Sequence, residues 1–253
     1  MCLIAWRWHP DHADALVLVS NRDEFFDRPT ETAQQWSGTP IWAGKDQRAG
    51  GTWLGVTETG RLAAITNYRT PEPPREHAAS RGHLVAQFLA SDLSSHAFLQ
   101  GLAETFQAYN PFNLTLYDGA TLLGFEGRVT THRVVTLEPG YGGVSNADFN
   151  TPWFKQTCLQ IDLEGLLASE AASDDALLDL LLNDQVAPLQ QLPQTGLPLD
   201  RELALSAPFV RMGHYGTRAS SLVRMRRDGV EFTERGFDQQ AMTHQTRHVL
   251  AKA

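Results

Sequence analysis

Cysteine is scarce in this sequence, since Cys2 and Cys158 are the two thiols among 253 residues. Two cysteines are too few for the disulfide scaffold of a small secreted protein, so we expect a cytoplasmic protein. The sequence has no run of about 18 consecutive apolar residues, which a membrane-spanning helix would need. It also has no basic segment followed by an apolar core after Met1, so no signal peptide is predicted.

Basic residues are in the minority. The chain has 21 Lys and Arg against 29 Asp and Glu, a net charge of −8. Without basic clusters, nucleic acid and anionic membranes are poor partners, and we expect a small-molecule substrate or an apolar ligand instead. The hydrophobic fraction of 42% can form a sizeable core, and the length suits one domain covering residues 1–253. The sequence leaves the oligomeric state open.

Motifs for metals and cofactors are lacking, so none is predicted. Cysteines at positions 2 and 158 cannot form a Cys-x-x-Cys zinc site. His244 and His248 are four residues apart and would share the face of a helix, but no HExxH pattern surrounds them, and we interpret this segment as a solvated tail. The glycine-rich stretch 140–143 lacks the Lys-Ser/Thr of a phosphate-binding loop.

Short apolar runs separated by turn residues predict antiparallel strands. Residues 2–8 and 15–19 flank a turn at 10–14 and predict a hairpin whose second strand stops at Ser20-Asn21, where polar residues begin. Further strands are predicted at 52–56, 61–66, 112–117, 122–126, 129–137, 220–226 and 230–235. Helices are predicted at 80–90, 94–107, 151–167 (capped by Thr151 before Pro152) and 173–182, and a loop at 188–198. Paired strands at both ends with helices between them indicate an α+β fold with antiparallel sheets.

Cys2 is the sharpest chemical feature of the sequence. Removal of Met1 would leave one residue with both a thiol and a free α-amine, whose usual pKa values are about 8.5 and about 8. Near neutral pH the amine can accept the thiol proton, directly or through a water, so nucleophile and base would belong to one residue. The alternative is that Cys2 is only a small buried apolar residue.

The polar run Asn21-Arg22-Asp23-Glu24 supports the chemical interpretation. If the first two strands pair, the end of the second lies beside Cys2. The guanidinium of Arg22 would then favour the thiolate, and the carboxylate of Asp23 could orient the α-ammonium. The alternative is a surface turn in which Arg22 and Asp23 pair with each other.

Several motifs in order along the chain resemble a known family. They are Met1-Cys2, the run 21–24, Gly50-Gly51-Thr52-Trp53-Leu54-Gly55, Ser145-Asn146-Ala147 with Thr151-Pro152-Trp153, and Tyr215-Gly216-Thr217-Arg218. The sequence is similar to the NRDE family, whose eukaryotic members are called transport and Golgi organisation protein two homologues. That family resembles the N-terminal-nucleophile (Ntn) hydrolases of the choloylglycine hydrolase and penicillin V acylase type. The resemblance implies a four-layer αββα sandwich and cleavage of a linear carbon–nitrogen amide through an acyl-enzyme.

The resemblance also implies roles for individual residues. Cys2 matches the nucleophile, and Arg22 and Asp23 match an arginine and an aspartate after the second strand. The acylases space those two residues apart, so here we expect at most one of them in the family position, with Asp23 preferred. Asn67 and Asn146 match the asparagines that donate to the oxyanion.

An asparagine NH₂ donates to an oxyanion without adding charge, and one such donor is worth about 3 kcal/mol in other hydrolases. Arg218 matches the C-terminal arginine of the acylase site. The alternatives are turn-capping roles for Asn67 and Asn146 and a structural carboxylate partner for Arg218.

A second function is a non-catalytic carrier on the same fold, for haem, lipid or acyl-coenzyme A ligands. The adjacent arginine and aspartate and the many tryptophans favour it. Trp36, Trp42, Trp53 and Trp153 are expected in the core or in a pocket wall, where they would suit an apolar ligand. A scaffold without a small-molecule site is a third interpretation, but it gives no use to polar residues at strand ends.

Overall fold

The computed structural model describes residues 2–169 and 172–251, and within these ranges the chain forms two antiparallel sheets of seven strands each. The strands are β1 (Cys2–Trp8), β2 (Asp14–Phe25), β3 (Thr30–Gln35), β4 (Ile41–Asp46), β5 (Leu54–Thr57), β6 (Leu62–Asn67), β7 (Phe112–Tyr117), β8 (Leu122–Gly127), β9 (His132–Thr136), β10 (Gly140–Val144), β11 (Arg211–Met212), β12 (Tyr215–Arg226), β13 (Gly229–Phe237) and β14 (Met242–Ala251). The helices are α1 (Gly82–Leu89), α2 (Ser95–Ala103), α3 (Phe154–Leu167), α4 (Asp174–Asp179) and α5 (Leu199–Ala204). The predicted α+β class is confirmed.

The two sheets are built differently. The first has the order β10-β1-β2-β12-β13-β14, with β11 beside β12, and the second runs in chain order from β3 to β9. The first sheet therefore unites the N-terminal hairpin with the C-terminal strands through the pairing of β2 with β12. Glycines with positive φ close two tight turns of the second sheet, Gly60 (φ 83°) and Gly119 (φ 94°).

Alternating side chains divide the core into layers. In β1, Ile4 and Trp6 face the second sheet, whereas Leu3 and Ala5 face the side covered by α3 and α4. A third apolar layer lies between the second sheet and the helices α1 and α2. The result is the four-layer αββα sandwich that the resemblance implied. No helix in the described ranges is both long and apolar enough to cross a membrane.

The prediction that the second strand stops at Ser20-Asn21 is wrong, because β2 continues through Phe25. The buried carboxamide of Asn21 donates to the backbone oxygens of Leu181 (2.8 Å) and Pro208 (2.9 Å) and accepts from Ser220 Oγ (2.6 Å). A polar side chain with all these partners is tolerated inside a sheet. The polar run is therefore a buried strand.

Two other local predictions are corrected. Helix α3 begins at Phe154, with Trp153 in extended conformation as its N-cap residue, so Thr151 does not cap it. His244 and His248 lie in β14 and not in a helix or a tail. This strand pairs with β13 and has one face exposed to solvent, and His248 Nε2 lies 2.8 Å from the backbone oxygen of Ala33.

Candidate active site

Cys2 lies at the start of β1, directly across from Arg22 of β2. Opposite residues of an antiparallel pair project to the same face of the sheet. Here that face is directed at the second sheet, as Ile4 and Trp6 show. Cys2 is 8% exposed and borders a cavity of about 340 Å³. Its thiol is thus not enclosed in hydrocarbon.

The wall of this cavity is rich in charge. Strand β2, the loop after it, the end of β4 and the segment before α1 supply its ionisable side chains, which are Arg22, Asp23, Glu24, Arg28, Asp46, Arg75, Glu76 and Arg81. Apolar side chains contribute less, chiefly Trp53 and Ile65. A cavity of this kind suits a ligand with polar or charged groups.

Arg22 is held in place by several contacts. Its guanidinium carbon lies 4.1 Å from the ring centroid of Trp53, Nη1 donates to Thr30 Oγ1 (3.2 Å), and Nη2 lies 3.6 Å from Asp46 Oδ2. Burial raises the pKa of the Cys2 thiol, and the positive charge of Arg22 opposes that rise. With a raised pKa the thiol is protonated at neutral pH, so nucleophilic attack requires a proton acceptor.

Asp23 is fully buried, and it also borders the cavity of Cys2. Successive strand residues project to opposite faces, so Asp23 projects toward α3 and away from the face of Arg22. Its Oδ1 accepts from Thr217 Oγ1 at 2.7 Å. Burial raises the pKa of this carboxyl group, and the nearby Lys155 ammonium opposes the rise. Arg22 and Asp23 are neighbours in β2 and project from its opposite faces, and both still border the cavity of Cys2.

The two predicted asparagines lie together. Asn67 ends β6 and borders the cavity, whereas Asn146 follows β10, is completely buried and borders a separate cavity of about 380 Å³. Asn146 Nδ2 donates to the backbone oxygen of Asn67 at 2.9 Å. The hydroxyl of Ser145 lies 3.3 Å from both the backbone oxygen of Cys2 and Oδ1 of Asn146.

Sequence reasoning missed Lys155, which is 1% exposed in the first turn of α3. Its Nζ lies 3.3 Å from Asn146 Oδ1. Burial lowers the pKa of Lys155 to about 8, and the negative charge of Asp23 opposes that shift. One signal could have found it, because Lys155 precedes the buried Leu159 and Leu163 at steps of four residues and so shares their helix face.

Arg218 does not border the cavity of Cys2. It lies where the pairing of β2 and β12 shifts register, and its Nη1 donates to the backbone oxygens of Phe25 (3.1 Å) and Arg28 (2.5 Å). It borders a smaller cavity of about 100 Å³, whose wall it shares with Arg22. These contacts hold the loop after β2, and its role toward the oxyanion stays a prediction.

Ligands for a metal do not converge in the part of the chain that is described. Among residues 2–169 and 172–251, no three His, Cys, Asp or Glu side chains are placed to hold a metal ion. The predicted removal of Met1 falls on a residue outside these ranges.

The chain matches known proteins over nearly its whole length. A family model described as "Transport and Golgi organisation 2" matches residues 1–239. The mouse transport and Golgi organization 2 homolog is 35% identical over 263 residues, which cover 93% of this chain and 92% of the mouse protein. The human homolog is 35% identical over 272 residues, which cover 96% of each chain.

Among solved structures, the chain is similar to the N-acylethanolamine-hydrolyzing acid amidase ortholog of Caenorhabditis elegans. The TM-score is 0.53 at 10% sequence identity, and the match covers 91% of this chain and 98% of the amidase. At this identity the similarity shows a shared fold. The sandwich of two antiparallel sheets that the resemblance implied is thus also the fold of this amidase ortholog.

Proposed function

This chain belongs to the Transport and Golgi organisation 2 family, and we propose that it is an Ntn cysteine amidohydrolase that cleaves a linear carbon–nitrogen amide through an acyl-enzyme on Cys2. One observation carries the proposal. Cys2 begins a buried strand opposite Arg22 and borders a cavity that Asp23 and Asn67 also border.

The raised pKa of the thiol makes a base necessary. After removal of Met1, the α-amine of Cys2 would accept the thiol proton, and Asp23 would orient that amine. The sulfur then attacks the amide carbonyl, a carbon–sulfur bond forms, and the carbonyl electrons move to the oxygen. When the tetrahedral intermediate collapses, the carbon–nitrogen bond breaks and the amine leaves with the transferred proton. Water hydrolyses the resulting thioester and restores the thiol.

The oxyanion needs hydrogen-bond donors, which carboxamide groups can supply without adding a charge. Asn67 borders the cavity and its side chain NH₂ can donate directly. Asn146 uses one hydrogen of its NH₂ for the backbone oxygen of Asn67, and the second hydrogen can serve the oxyanion. Loss of one such donor typically costs about 3 kcal/mol in transition-state stabilisation.

The charged cavity wall supports an amide substrate with polar groups over a carrier function for an apolar ligand. Ligand sites for apolar molecules are lined mainly by hydrophobic and aromatic side chains. Here Trp53 borders the cavity, but it is covered by the Arg22 guanidinium, while Trp36 and Trp42 lie outside the lining.

Intact-mass spectrometry tests the proposal directly. The purified protein should lack Met1 and should gain one acyl group from a thiol-reactive acyl analogue. Cys2→Ala should abolish the labelling. Cys158→Ala is the matched control, because Cys158 is the other free thiol and lies in α3, outside the cavity of Cys2. Active protein that retains Met1 would refute the proposed base, and labelling that persists in Cys2→Ala would refute the nucleophile.

A further inference from the structure

Lys155 is buried behind the Cys2 site, although the reaction proposed above does not use it. It lies on the face of α3 that also carries Leu159 and Leu163, and it is 1% exposed. An ammonium group is costly to bury unless it is hydrogen-bonded and lies near an opposite charge. The burial of Lys155 therefore requires hydrogen-bond and charge partners.

Four charged or titratable groups, each on a different element, influence the charge of Lys155. They are Asp23 on β2, Cys2 on β1, Arg69 after β6 and Glu202 on α5. Glu202 is already bound to Arg69, with 2.7 Å between Oε2 and Nη1. The negative charge of Asp23 favours the charged form of Lys155, and the Lys155 ammonium opposes the rise in the pKa of Asp23 that burial causes.

The direct contact of Lys155 is with Asn146, and it determines how that carboxamide is oriented. A charged lysine has three donors and no acceptor, so it can bind Oδ1 but not the NH₂ group. A backbone oxygen is an acceptor only, so Asn67 O binds Nδ2. Together the contacts at 3.3 Å and 2.9 Å exclude the flipped carboxamide. The NH₂ group then stays on the side of Asn67, which borders the cavity.

We propose that Lys155 is a positioning residue of the Cys2 site, which holds the NH₂ of Asn146 toward the oxyanion. This inference rests on the proposed amidohydrolase function. It also predicts a pH dependence, because a neutral lysine amine has a lone pair and can accept from Nδ2. Two contacts then fix the orientation of Asn146 while Lys155 is charged, below about pH 8, and above that pH only the contact with the backbone oxygen of Asn67 does so.

Nuclear magnetic resonance of the wild-type protein tests the contact without a variant. The side-chain ¹⁵N signals of Asn146, assigned from their loss in Asn146→Asp, should shift with pH at the same midpoint as the ¹³Cε signal of Lys155. Asn113 is the matched control, because its buried carboxamide donates to Thr66 Oγ1 and to the backbone oxygen of Ala147 and has no lysine partner. Asn146 signals that do not follow the titration of Lys155 would overturn the inference.

Enzyme kinetics test the positioning role. Lys155→Met should lower kcat about 100-fold with little change in KM, because a misplaced donor affects the transition state. The double variant Lys155→Met/Asn146→Ala should be no slower than Asn146→Ala alone, and Lys45→Met, which lies outside the cavity, should match wild type. Fully additive losses would overturn the inference. If Lys155→Met does not fold, Lys155→Gln tests the same contact from the other side: its NH₂ can still donate to Oδ1, so kcat should stay within a few-fold of wild type, and a 100-fold loss in folded Lys155→Gln would overturn the inference.

The outcomes separate the two proposals. A wild-type protein that forms no acyl-enzyme refutes the amidohydrolase function. A wild-type protein that forms one, while the Asn146 signals ignore Lys155, refutes the positioning role alone.

Discussion

Arg22 lies directly opposite Cys2 in the first two strands, and its guanidinium covers Trp53 at 4.1 Å from the ring centroid. Stacking on the indole and the contact with Thr30 hold the charge in one place. The thiol therefore experiences a fixed positive charge in a buried setting, where electrostatic effects are stronger than in water.

Replacing this charge should make Cys2 less reactive. We predict that Arg22→Met raises the pKa of the thiol further and lowers its labelling rate by iodoacetamide at pH 7 about tenfold. The measurement is the pH profile of labelling in a Cys158→Ala background. Arg48→Met removes an exposed arginine and should leave the profile unchanged. An unaltered profile in Arg22→Met would show that the thiol does not sense Arg22.

Asp23 should make stability depend on pH in the acidic range. Burial raises its pKa above the ordinary 3.8, so the folded state holds the proton more tightly than the unfolded state. This contribution is complete below about pH 4 and is lost as the pH rises through the folded pKa. We predict that the free energy of unfolding of wild type falls relative to Asp23→Asn between pH 4 and pH 7, as measured by urea denaturation.

The exposed Asp162 provides the control, since Asp162→Asn should follow wild type over this range. Asp23→Asn should also lose amidase activity while it stays folded. If the free energy of unfolding depends on pH in the same way in wild type and in Asp23→Asn, the raised pKa of Asp23 is refuted.

Lys155 should have the complementary effect at alkaline pH. Burial lowers its pKa from 10.5 to about 8, so the unfolded state binds more protons between these values. The free energy of unfolding of wild type should therefore rise relative to Lys155→Met from pH 8 to pH 10.5, by up to about 3 kcal/mol. Urea denaturation at pH 7, 8.5 and 10 measures the rise. Lys45→Met should follow wild type, and the absence of any rise would refute the lowered pKa.

The buried ion pair between Arg69 and Glu202 should contribute strongly to stability. Their side chains are 4% and 5% exposed, and Glu202 also accepts from Thr195. We predict that Glu202→Ala costs about 3–5 kcal/mol, because it leaves the Arg69 charge buried without its partner carboxylate. Chemical denaturation measures the loss, and faster proteolysis within residues 193–198 should accompany it.

The exposed pair of Arg211 and Asp184 is the matched control. Its side chains are 61% and 67% exposed and its charged atoms lie 3.6 Å apart. Asp184→Ala should cost less than about 1 kcal/mol. If Glu202→Ala and Asp184→Ala lose similar amounts of unfolding free energy, burial does not make the pair of Arg69 and Glu202 stronger.

Strands with a strong apolar pattern were predictable, and those with a polar pattern were not. The segments that form β5 to β8 are short apolar runs bounded by turn residues, and the sequence predicted all four. Strands β3 and β14 lie at sheet edges with one face in solvent, so their sequences TETAQQ and MTHQTRHVLA resemble loops or tails. The local sequence pattern of such an edge strand does not distinguish it from coil, because the strand forms only through pairing with a neighbouring strand.

The candidate site shows the same division. Cys2 and the run 21–24 were recognisable because a hairpin fixes which residues lie opposite each other. Lys155 was not recognised, because a lone lysine in a helix is normally solvated. Its burial depends on the charge of Asp23, on β2, and on the contact with Asn146, in the loop after β10.

The amino-acid sequence by itself determined the antiparallel strands, the position of a thiol at the start of the first of them, and the polar residues that the hairpin brings beside it. These features depend on alternation and turns, which act over a few residues. Only the tertiary structure decided that β2 continues to Phe25 beside β12, that Arg218 lies outside the cavity and holds the loop after β2, and that Lys155 is buried against Asn146. Each of these depends on a polar or charged group whose partners lie on other elements of the fold, and a local sequence pattern does not show which elements will meet.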